Sequence, residues 1–366
     1  MGSGTSPVAT DTTRVFGDLH EVAQRVREGL YAEVPESEEL RPDGSPLPAD
    51  EEAAARVSAR ARQERGRVLA AGADGLEKLA EGRADEISDD ESFGMEAIVL
   101  LEGRPALLVQ RQDFPDQAGD WAVLNGRRAG IHDSILRVGR VEVSGHPSLD
   151  WLGTAFLVGP ETVMTNRHVA VEFTRVGGAG WTFKEGMASR IATAEGGYGN
   201  GAAPGPLAPG DVVYEVTGVH GVHTDHDLAL LRVAPRDDGG APAPRPLAIA
   251  ADAPPDVPGH LVYCVGYPAY DGRRNEPVAM SRIFMDVYNV KRLQPGTTTA
   301  LLPEGTVLTH DCSTLGGNSG SPVFDLADHR VLGLHFGGRY GVGNYAVPLW
   351  NLVDDPLLRR AGVNFV

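Results

Sequence analysis

From Met95 onward the chain consists of short apolar or alternating segments that Gly, Pro and Asp separate. The segments are EAIVLL, ALLVQ, RVGRVEV, GTAFLVG, DVVYEVTGV, LALLRV, HLVYCVGYP, TVLTH and RVLGLHFGG. Segments this short, with turn residues between them, favour antiparallel hairpins over alternating βα units. We therefore predict an all-β fold, an antiparallel barrel or sandwich, and LWNLVDDPLLRRAG near the end predicts a short closing helix.

The first 95 residues are acidic and lack this strand pattern. Apolar residues at helical spacing predict a helix from Phe16 to Leu30. The stretch EVPESEELRPDGSPLPAD follows and is typical of a linker because of its prolines. A second helix is predicted from Ala53 to Leu79, although its internal glycines weaken it. The region is predicted to be a small helical module or a partly ordered tail.

Composition narrows the class of protein. The chain has 366 residues, 42% of them hydrophobic, which is typical of a globular protein with more than one packing unit. A net charge of −17 gives no electrostatic support for nucleic-acid binding. No apolar run is long enough to span a membrane, and the N-terminus lacks a secretory signal. We therefore expect no nucleic-acid or membrane partner and a cytoplasmic location.

Two short sequence features have a structural and a chemical interpretation. MGSGTS fits the loose myristoylation pattern, but a Gly/Ser-rich tail is the simpler interpretation. Cys264 and Cys312 are too few for a disulfide-rich scaffold. We expect both cysteines to be buried thiols.

Three segments contain residues that together could perform nucleophilic catalysis. LVGPETVMTNRHVA ends a strand near His168, HTDHDLALLRV places Asp227 just before a strand, and STLGGNSGSPVF contains Ser319. A serine hydroxyl needs a base within hydrogen-bond reach, and a neutral imidazole can be that base. A carboxylate on the other ring nitrogen fixes the tautomer of the histidine. Asp225 is an alternative to Asp227, but Asp227 is better placed before the strand LALL.

The order and the glycines agree with that chemistry. The three residues occur in the order His, Asp, Ser, with gaps of 227 − 168 = 59 and 319 − 227 = 92 residues, so they can lie on different strands. Glycines before the serine allow the backbone to turn its amides toward a reacting oxygen. We predict an oxyanion hole formed by the N–H groups of Gly317 and Ser319.

The segments TNRHV, HDLALL and GGNSGSPVF together resemble the trypsin-like (chymotrypsin-fold) serine proteases, especially their bacterial branch. The resemblance covers roughly residues 135–366. It implies two packed antiparallel six-stranded β-barrels, with His168 and Asp227 from the first and Ser319 from the second. Asn318 stands where the animal enzymes have Asp, so their zymogen activation is not expected here.

With that resemblance the chain divides into four predicted regions. They are an acidic helical and linker extension over 1–95, a β-rich connector over 96–134, a first barrel over 135–243 and a second barrel over 244–366.

The nucleophile segment and VLGLHFGG look similar to the glutamyl endopeptidases of this family. The resemblance implies that Thr314 and His335 bind a substrate carboxylate, and a hydroxyl and an imidazole can both donate to one. The alternative is that Thr314 is a turn residue and His335 a core histidine. His310 could border the pocket, though a structural role is the simpler interpretation.

Metal or cofactor binding is not predicted. His220, His223 and His226 are spaced by three, which alternates faces on a strand, and no further ligand residues accompany them. We expect no metal site and no cofactor.

The leading hypothesis is a serine endopeptidase that acts on polypeptides through an acyl-enzyme. Its N-terminal extension would regulate it or bind a protein partner, and the linker glutamates Glu36, Glu38 and Glu39 would be sites of self-cleavage if the pocket takes acidic residues. The alternatives are a catalytically silent, peptide-binding adaptor and an esterase that uses the same triad.

Overall fold

The computed structural model divides the chain into two compact units. The first comprises residues 1–105 and 276–287, and the second comprises residues 106–275 and 288–366. The structure describes residues 19–27, 67, 70–83, 86–88, 91, 104–178, 180–195, 211–234, 245–269, 288–302, 305–339 and 343–366. The predicted linker, its glutamates and the segment EAIVLL lie outside the described residues.

In the first unit the described residues are mostly helical. Helix α1 spans Leu19–Arg27, within the first predicted helix, and residues 70–80 are helical and overlap the end of the second. Arg27 forms ion pairs with Asp74, at 2.7 Å, and with Glu77. Ala73 and Leu76 are fully buried, so this helical segment packs through one apolar face.

The second unit contains fifteen strands and short helices among its described residues. The strands are β1 Leu107–Leu108, β2 Val138–Ser144, β3 Trp151–Gly159, β4 Thr162–Thr165, β5 Thr174–Gly177, β6 Gly180–Phe183, β7 Ala188–Ala192, β8 Val213–Val222, β9 Ala229–Ala234, β10 Leu261–Gly266, β11 Arg292–Leu301, β12 Leu308–His310, β13 Pro322–Asp325, β14 Val331–Arg339 and β15 Gly343–Pro348. The helices are the 3₁₀ helices Gly119–Ala122 and Leu349–Leu352, α2 Val123–Gly126, α3 Arg128–Ile135, α4 Arg167–Ala170 and α5 Pro356–Arg360.

Six strands close the first barrel in the order β2-β3-β4-β9-β8-β7. Every neighbouring pair is antiparallel, and β2 pairs with β7 to complete the ring. Register shifts in β2–β3, β3–β4 and β8–β9 bend the strands, as closure of a small barrel requires. The interior is filled by buried apolar side chains such as Leu157, Phe173 and Leu231.

The second barrel closes in the order β11-β10-β13-β14-β15-β12, because β12 also pairs with β11. All of these pairs are antiparallel, and β1 pairs with the first two residues of β11, Arg292 and Leu293. The predicted all-β fold with two antiparallel six-stranded barrels is therefore confirmed. The predicted closing helix is present as the 3₁₀ helix Leu349–Leu352 followed by α5.

The stretch predicted as a β-rich connector contains little strand where it is described, and its second half is helical. Between residues 104 and 134 the one strand is β1, whereas a 3₁₀ helix, α2 and α3 contain nearly all of the residues from 119 onward. Leu124, Ile131 and Ile135 are fully buried in the core that also contains Phe156 of β3. Their spacing of seven and four residues is helical, and packing against the barrel stabilises helices too short to be stable alone.

The helices of the described residues are all short. None of them combines the length and the apolar character that a membrane-spanning helix needs.

Candidate active site

His168 and Asp227 are in direct contact at the first barrel. His168 lies in α4, which follows β4, and Asp227 lies two residues before β9. His168 Nδ1 is 2.6 Å from Asp227 Oδ2, and the backbone N–H of His168 donates to Asp227 Oδ1 at 2.9 Å. Since β4 and β9 are antiparallel neighbours, the end of one strand lies beside the start of the other.

The surroundings of Asp227 hold it in place and keep it ionised. The side-chain amide of Asn166 donates to the Asp227 carbonyl at 2.8 Å. Burial by itself raises the pKa of the Asp227 carboxyl, but the hydrogen bonds from His168 outweigh it, so the pKa lies below its ordinary value. The carboxylate can therefore orient the imidazole and stabilise its protonated form.

The alternative carboxylate, Asp225, points elsewhere. Its side chain accepts from the hydroxyl of Thr224 at 3.0 Å, and its N–H donates to His223 Nδ1 at 3.1 Å. Of the two aspartates, Asp227 is the one that contacts His168.

Ser319, on the second barrel, lies against the first. Its carbonyl accepts from the N–H of Thr154 in β3 at 2.8 Å. A Cβ built on Gly153 would lie 2.8 Å from the Ser319 carbonyl and 3.0 Å from the side chain of Val169, the residue after His168. The serine and the histidine helix thus approach the same point of β3, where only glycine leaves enough room.

The two amides predicted as oxyanion donors are available. Within the described residues, the N–H groups of Gly317 and Ser319 donate to no acceptor, whereas Asn318 N donates to Leu315 O and Gly320 N donates to His335 O. Gly317 has a φ of +84°. This positive φ turns the backbone as a glycine can, and it leaves two donors for a developing oxyanion.

Steric crowding also requires glycine at positions 317 and 320 of this loop. A Cβ on Gly317 would lie 2.4 Å from the carbonyl of Tyr267 and 2.6 Å from the ring of Trp151. A Cβ on Gly320 would lie 2.0 Å from the carbonyl of Thr154. The close approach of the barrels therefore excludes any side chain at these two positions.

Thr314 is partly buried and is not a simple turn residue. Its hydroxyl donates to Asn344 Oδ1 at 2.6 Å, and the amide of Asn344 donates to the carbonyl of Cys312 at 2.6 Å. Binding of a carboxylate by Thr314 thus requires the hydroxyl to turn away from Asn344.

His335 lies in β14 and is 2% exposed. Its Nδ1 atom is 3.1 Å from Nε2 of His310, while its Nε2 atom makes no hydrogen bond within the described residues. Burial, followed by the charges of His310 and His168, lowers the pKa of His335 well below its ordinary value. Burial also lowers the pKa of His310, to about 4. Both rings are therefore neutral at neutral pH.

Two residues of the site carry no recognisable sequence signal. Gln294 accepts from Asn318 Nδ2 at 3.1 Å and donates to the carbonyl of Ser313 at 2.6 Å, so it braces the nucleophile loop from β11. Asn344 orients Thr314 from β15. Both depend on which strands become neighbours in the barrel, and a single sequence does not reveal that.

The histidines spaced by three have different partners. His220 Nε2 is 3.2 Å from the hydroxyl of Thr162, and His223 Nε2 is 3.3 Å from Asp355 Oδ2. His226 packs its ring 4.8 Å from that of His223. Each is accounted for by local packing.

Comparison with known proteins identifies the family. The trypsin-like peptidase domain matches residues 153–334. A probable serine protease of Lysobacter enzymogenes is 28% identical over 322 residues, which cover 78% of this chain and 80% of that protein. The glutamyl endopeptidase of Staphylococcus epidermidis is 27% identical over 188 residues, which cover 51% of this chain and 54% of that protein.

Two solved structures are similar to part of the chain. The active form of a protease from M. tuberculosis has 20% sequence identity and a TM-score of 0.42, with 68% of this chain and 90% of that chain covered. The serine endoprotease from Yersinia pestis has 16% identity and a TM-score of 0.40, with 63% and 65% covered. By its matched domain and its relatives, the chain belongs to the trypsin-like serine proteases as a serine endopeptidase of their bacterial branch, and its substrates are polypeptides.

Proposed function

We propose that the chain cleaves peptide bonds with Ser319 as nucleophile, His168 as general base and Asp227 as the orienting carboxylate. The observation that carries this proposal is the pair of hydrogen bonds from His168 to the two carboxylate oxygens of Asp227. These bonds hold the proton of the neutral ring on Nδ1, which leaves the lone pair of Nε2 for the serine proton.

In the first step Ser319 Oγ attacks the scissile carbonyl and its proton passes to His168 Nε2. The oxygen of the tetrahedral intermediate accepts hydrogen bonds from the N–H groups of Gly317 and Ser319. His168 then protonates the leaving amine, and the acyl-enzyme remains on Ser319. A water molecule activated by the same imidazole releases the acid product.

We further propose that the enzyme prefers an acidic residue before the scissile bond. The Nε2 atom of His335 supports this, because it makes no hydrogen bond within the described residues and the neutral ring can offer an N–H donor there. The hydroxyl of Thr314 is a second donor once it leaves Asn344. The glutamyl endopeptidases among the relatives agree with this preference by their names.

A fluorophosphonate probe and a mixed peptide library test the two parts separately. The probe should label Ser319 alone, and peptide mapping locates the label. The library should be cut mainly after Glu, with Asp second. Labelling of another serine would overturn the nucleophile assignment, and cutting mainly after Arg or Leu would overturn the acidic preference alone.

A further inference from the structure

A group of three potential metal ligands lies inside the second barrel, apart from the proposed catalytic residues. Cys264, His310 and Cys312 each offer one ligand atom, and these atoms lie within 4.8 Å of one another. All three are buried, with exposed fractions of 0%, 0% and 1%. In the described residues this is the single group of His, Cys, Asp or Glu side chains with such spacing.

The three residues come from neighbouring strands. Cys264 lies in β10, His310 ends β12 and Cys312 follows two residues later. Both strands pair with β11, and Gly296 of β11 leaves room between them. A Cβ on Gly296 would lie 2.8 Å from Cys312 Sγ. The pairing of β10 and β12 with β11 therefore brings the three side chains together across that strand.

A second observation points to a ligand there. Nδ1 of His310 is buried and has no hydrogen-bond partner in the part of the chain that the structure describes. Its other nitrogen, Nε2, contacts Nδ1 of His335 at 3.1 Å. A buried polar atom left without a partner is costly, and a metal ion would satisfy it.

We propose that Cys264, His310 and Cys312 bind one zinc ion. Two thiolates and a neutral imidazole form a common zinc donor set. The charges of Zn²⁺ and two thiolates cancel, whereas Cu⁺ in the same place would leave one uncompensated negative charge in an apolar core. Binding releases the two thiol protons to solvent.

The geometry needs little adjustment. Zinc binds sulfur at about 2.3 Å and nitrogen at about 2.0 Å, so ligand atoms around it lie roughly 3.5 Å apart. A group within 4.8 Å closes to that spacing with shifts of less than about 1 Å per atom. Three protein ligands leave the fourth tetrahedral position to a water molecule.

Zinc on this group would also orient the proposed specificity pocket. With Nδ1 of His310 on the metal, the ring proton stays on Nε2 and donates to Nδ1 of His335. His335 must then hold its own proton on Nε2, the atom that the proposed acidic preference assigns to the substrate carboxylate. This second role rests on that proposed function, while the zinc site itself does not.

Metal analysis of the purified protein tests the site. Protein produced with added zinc and dialysed should hold about one zinc per chain by mass spectrometry of the metal. In the variants Cys264→Ala and Cys312→Ala the zinc content per chain should fall by more than about tenfold. Val262→Ala, which trims a buried side chain on the same strand, should keep it, and so should Ser319→Ala.

Cobalt substitution gives a spectroscopic readout. The metal-free protein with Co²⁺ should show the near-ultraviolet band of a cobalt–thiolate bond, and Cys264→Ala should not. Absence of zinc from the wild-type protein, full retention in both cysteine variants, or a disulfide between Cys264 and Cys312 would each overturn the site.

The coupling to the pocket has its own readout. Removal of zinc from the wild-type enzyme with a chelator should lower the preference for Glu over Gln by about tenfold, since His335 loses its fixed tautomer. An unchanged preference after the metal has left would overturn the coupling. The two proposals can also fail separately. If the purified protein binds zinc but the wild type cleaves no peptide, the metal site stands and the proposed protease chemistry is overturned.

Discussion

Each barrel contains a histidine whose ring contacts a second ionisable side chain, and the two resulting pairs differ in exposure and in the partner of the histidine. In the first barrel the His168 side chain is 49% exposed and its partner is the Asp227 carboxylate. In the second barrel His310 and His335 are almost fully buried and each is the partner of the other.

The difference shows how environment assigns a role to the same side chain. A carboxylate beside an imidazole stabilises the imidazolium, which a general base must become during the reaction. Burial without a carboxylate partner has the opposite effect, and it lowers the pKa values of His310 and His335. The first pair is suited to accept a proton, and the second is suited to donate a hydrogen bond while it stays neutral.

Removal of the nucleophile is the strongest way to break the role of the first pair. Ser319→Ala should lower kcat by about 10⁶-fold, as in comparable triads, because the base then has no hydroxyl to activate. Rate assays on a peptide substrate measure the loss, with incubations long enough to detect the residual activity of the variant. Ser321→Ala is the matched control. Its hydroxyl is buried without a partner among the described residues, so its kcat should stay near that of the wild type.

Conversion of the carboxylate partner into an amide makes the first pair more like the second. Asp227→Asn should lower kcat by about 10⁴-fold near neutral pH with little change in KM, because the amide favours the wrong tautomer of His168. Asp225→Asn is the control and should stay within a few-fold of the wild type, since Asp225 contacts Thr224 instead. Equal losses in the two variants would contradict the assignment of Asp227.

The sequence was sufficient for the features that depend on local pattern. Alternating apolar segments between turn residues predict β2, β3, β8, β9, β10, β12 and β14, whereas β7, β11 and β15 are not among the predicted segments. The contact of His168 with Asp227 was predictable because each residue adjoins a strand end.

Features that depend on strand order were not predictable. Gln294 braces the nucleophile loop and Asn344 holds Thr314 only because β11 and β15 lie beside the loop in the closed barrel. Cys264 and Cys312 are 48 residues apart, 312 − 264, and meet across β11. The helices before β2 were missed because their apolar residues are few and their stability comes from packing.

Substrate preference would sharpen the role of the second pair. If His335 and Thr314 each donate to a substrate carboxylate, cleavage after Glu should exceed cleavage after Gln by roughly ten- to several hundred-fold. Thr314→Val removes the hydroxyl at similar size and should lower this ratio by about tenfold, whereas Thr314→Ser should keep it. Initial rates on paired Glu and Gln peptides give the ratio, and an equal ratio in both variants would exclude the Thr314 hydroxyl as a donor.

Lys291, the residue directly before β11, extends the comparison to another buried base, and no carboxylate of the described residues forms an ion pair with it. It is fully buried, and Nζ donates to Gln112 Oε1 at 3.2 Å and to the carbonyls of Ile135, at 3.1 Å, and Thr193. Burial lowers the pKa of Lys291 to about 7, against the opposing charges of two more distant carboxylates.

This shift predicts a small pH dependence of stability. Between the unfolded value of 10.5 and about 7, the unfolded chain binds the Lys291 proton and the folded chain does not, so stability falls as the pH is lowered through this range and levels off below it. Lys291→Met abolishes that contribution. The free energy of unfolding of the variant minus that of the wild type should therefore be larger at about pH 6 than at about pH 9, and urea denaturation measures both values. The control Lys184→Met removes a lysine charge at a partly exposed site, where the side chain donates to the carbonyl of Glu172, and an equal gain there would show that loss of any lysine charge has this effect. A pH-independent difference for Lys291→Met would mean that burial without a carboxylate partner does not decide the charge of a base in this barrel.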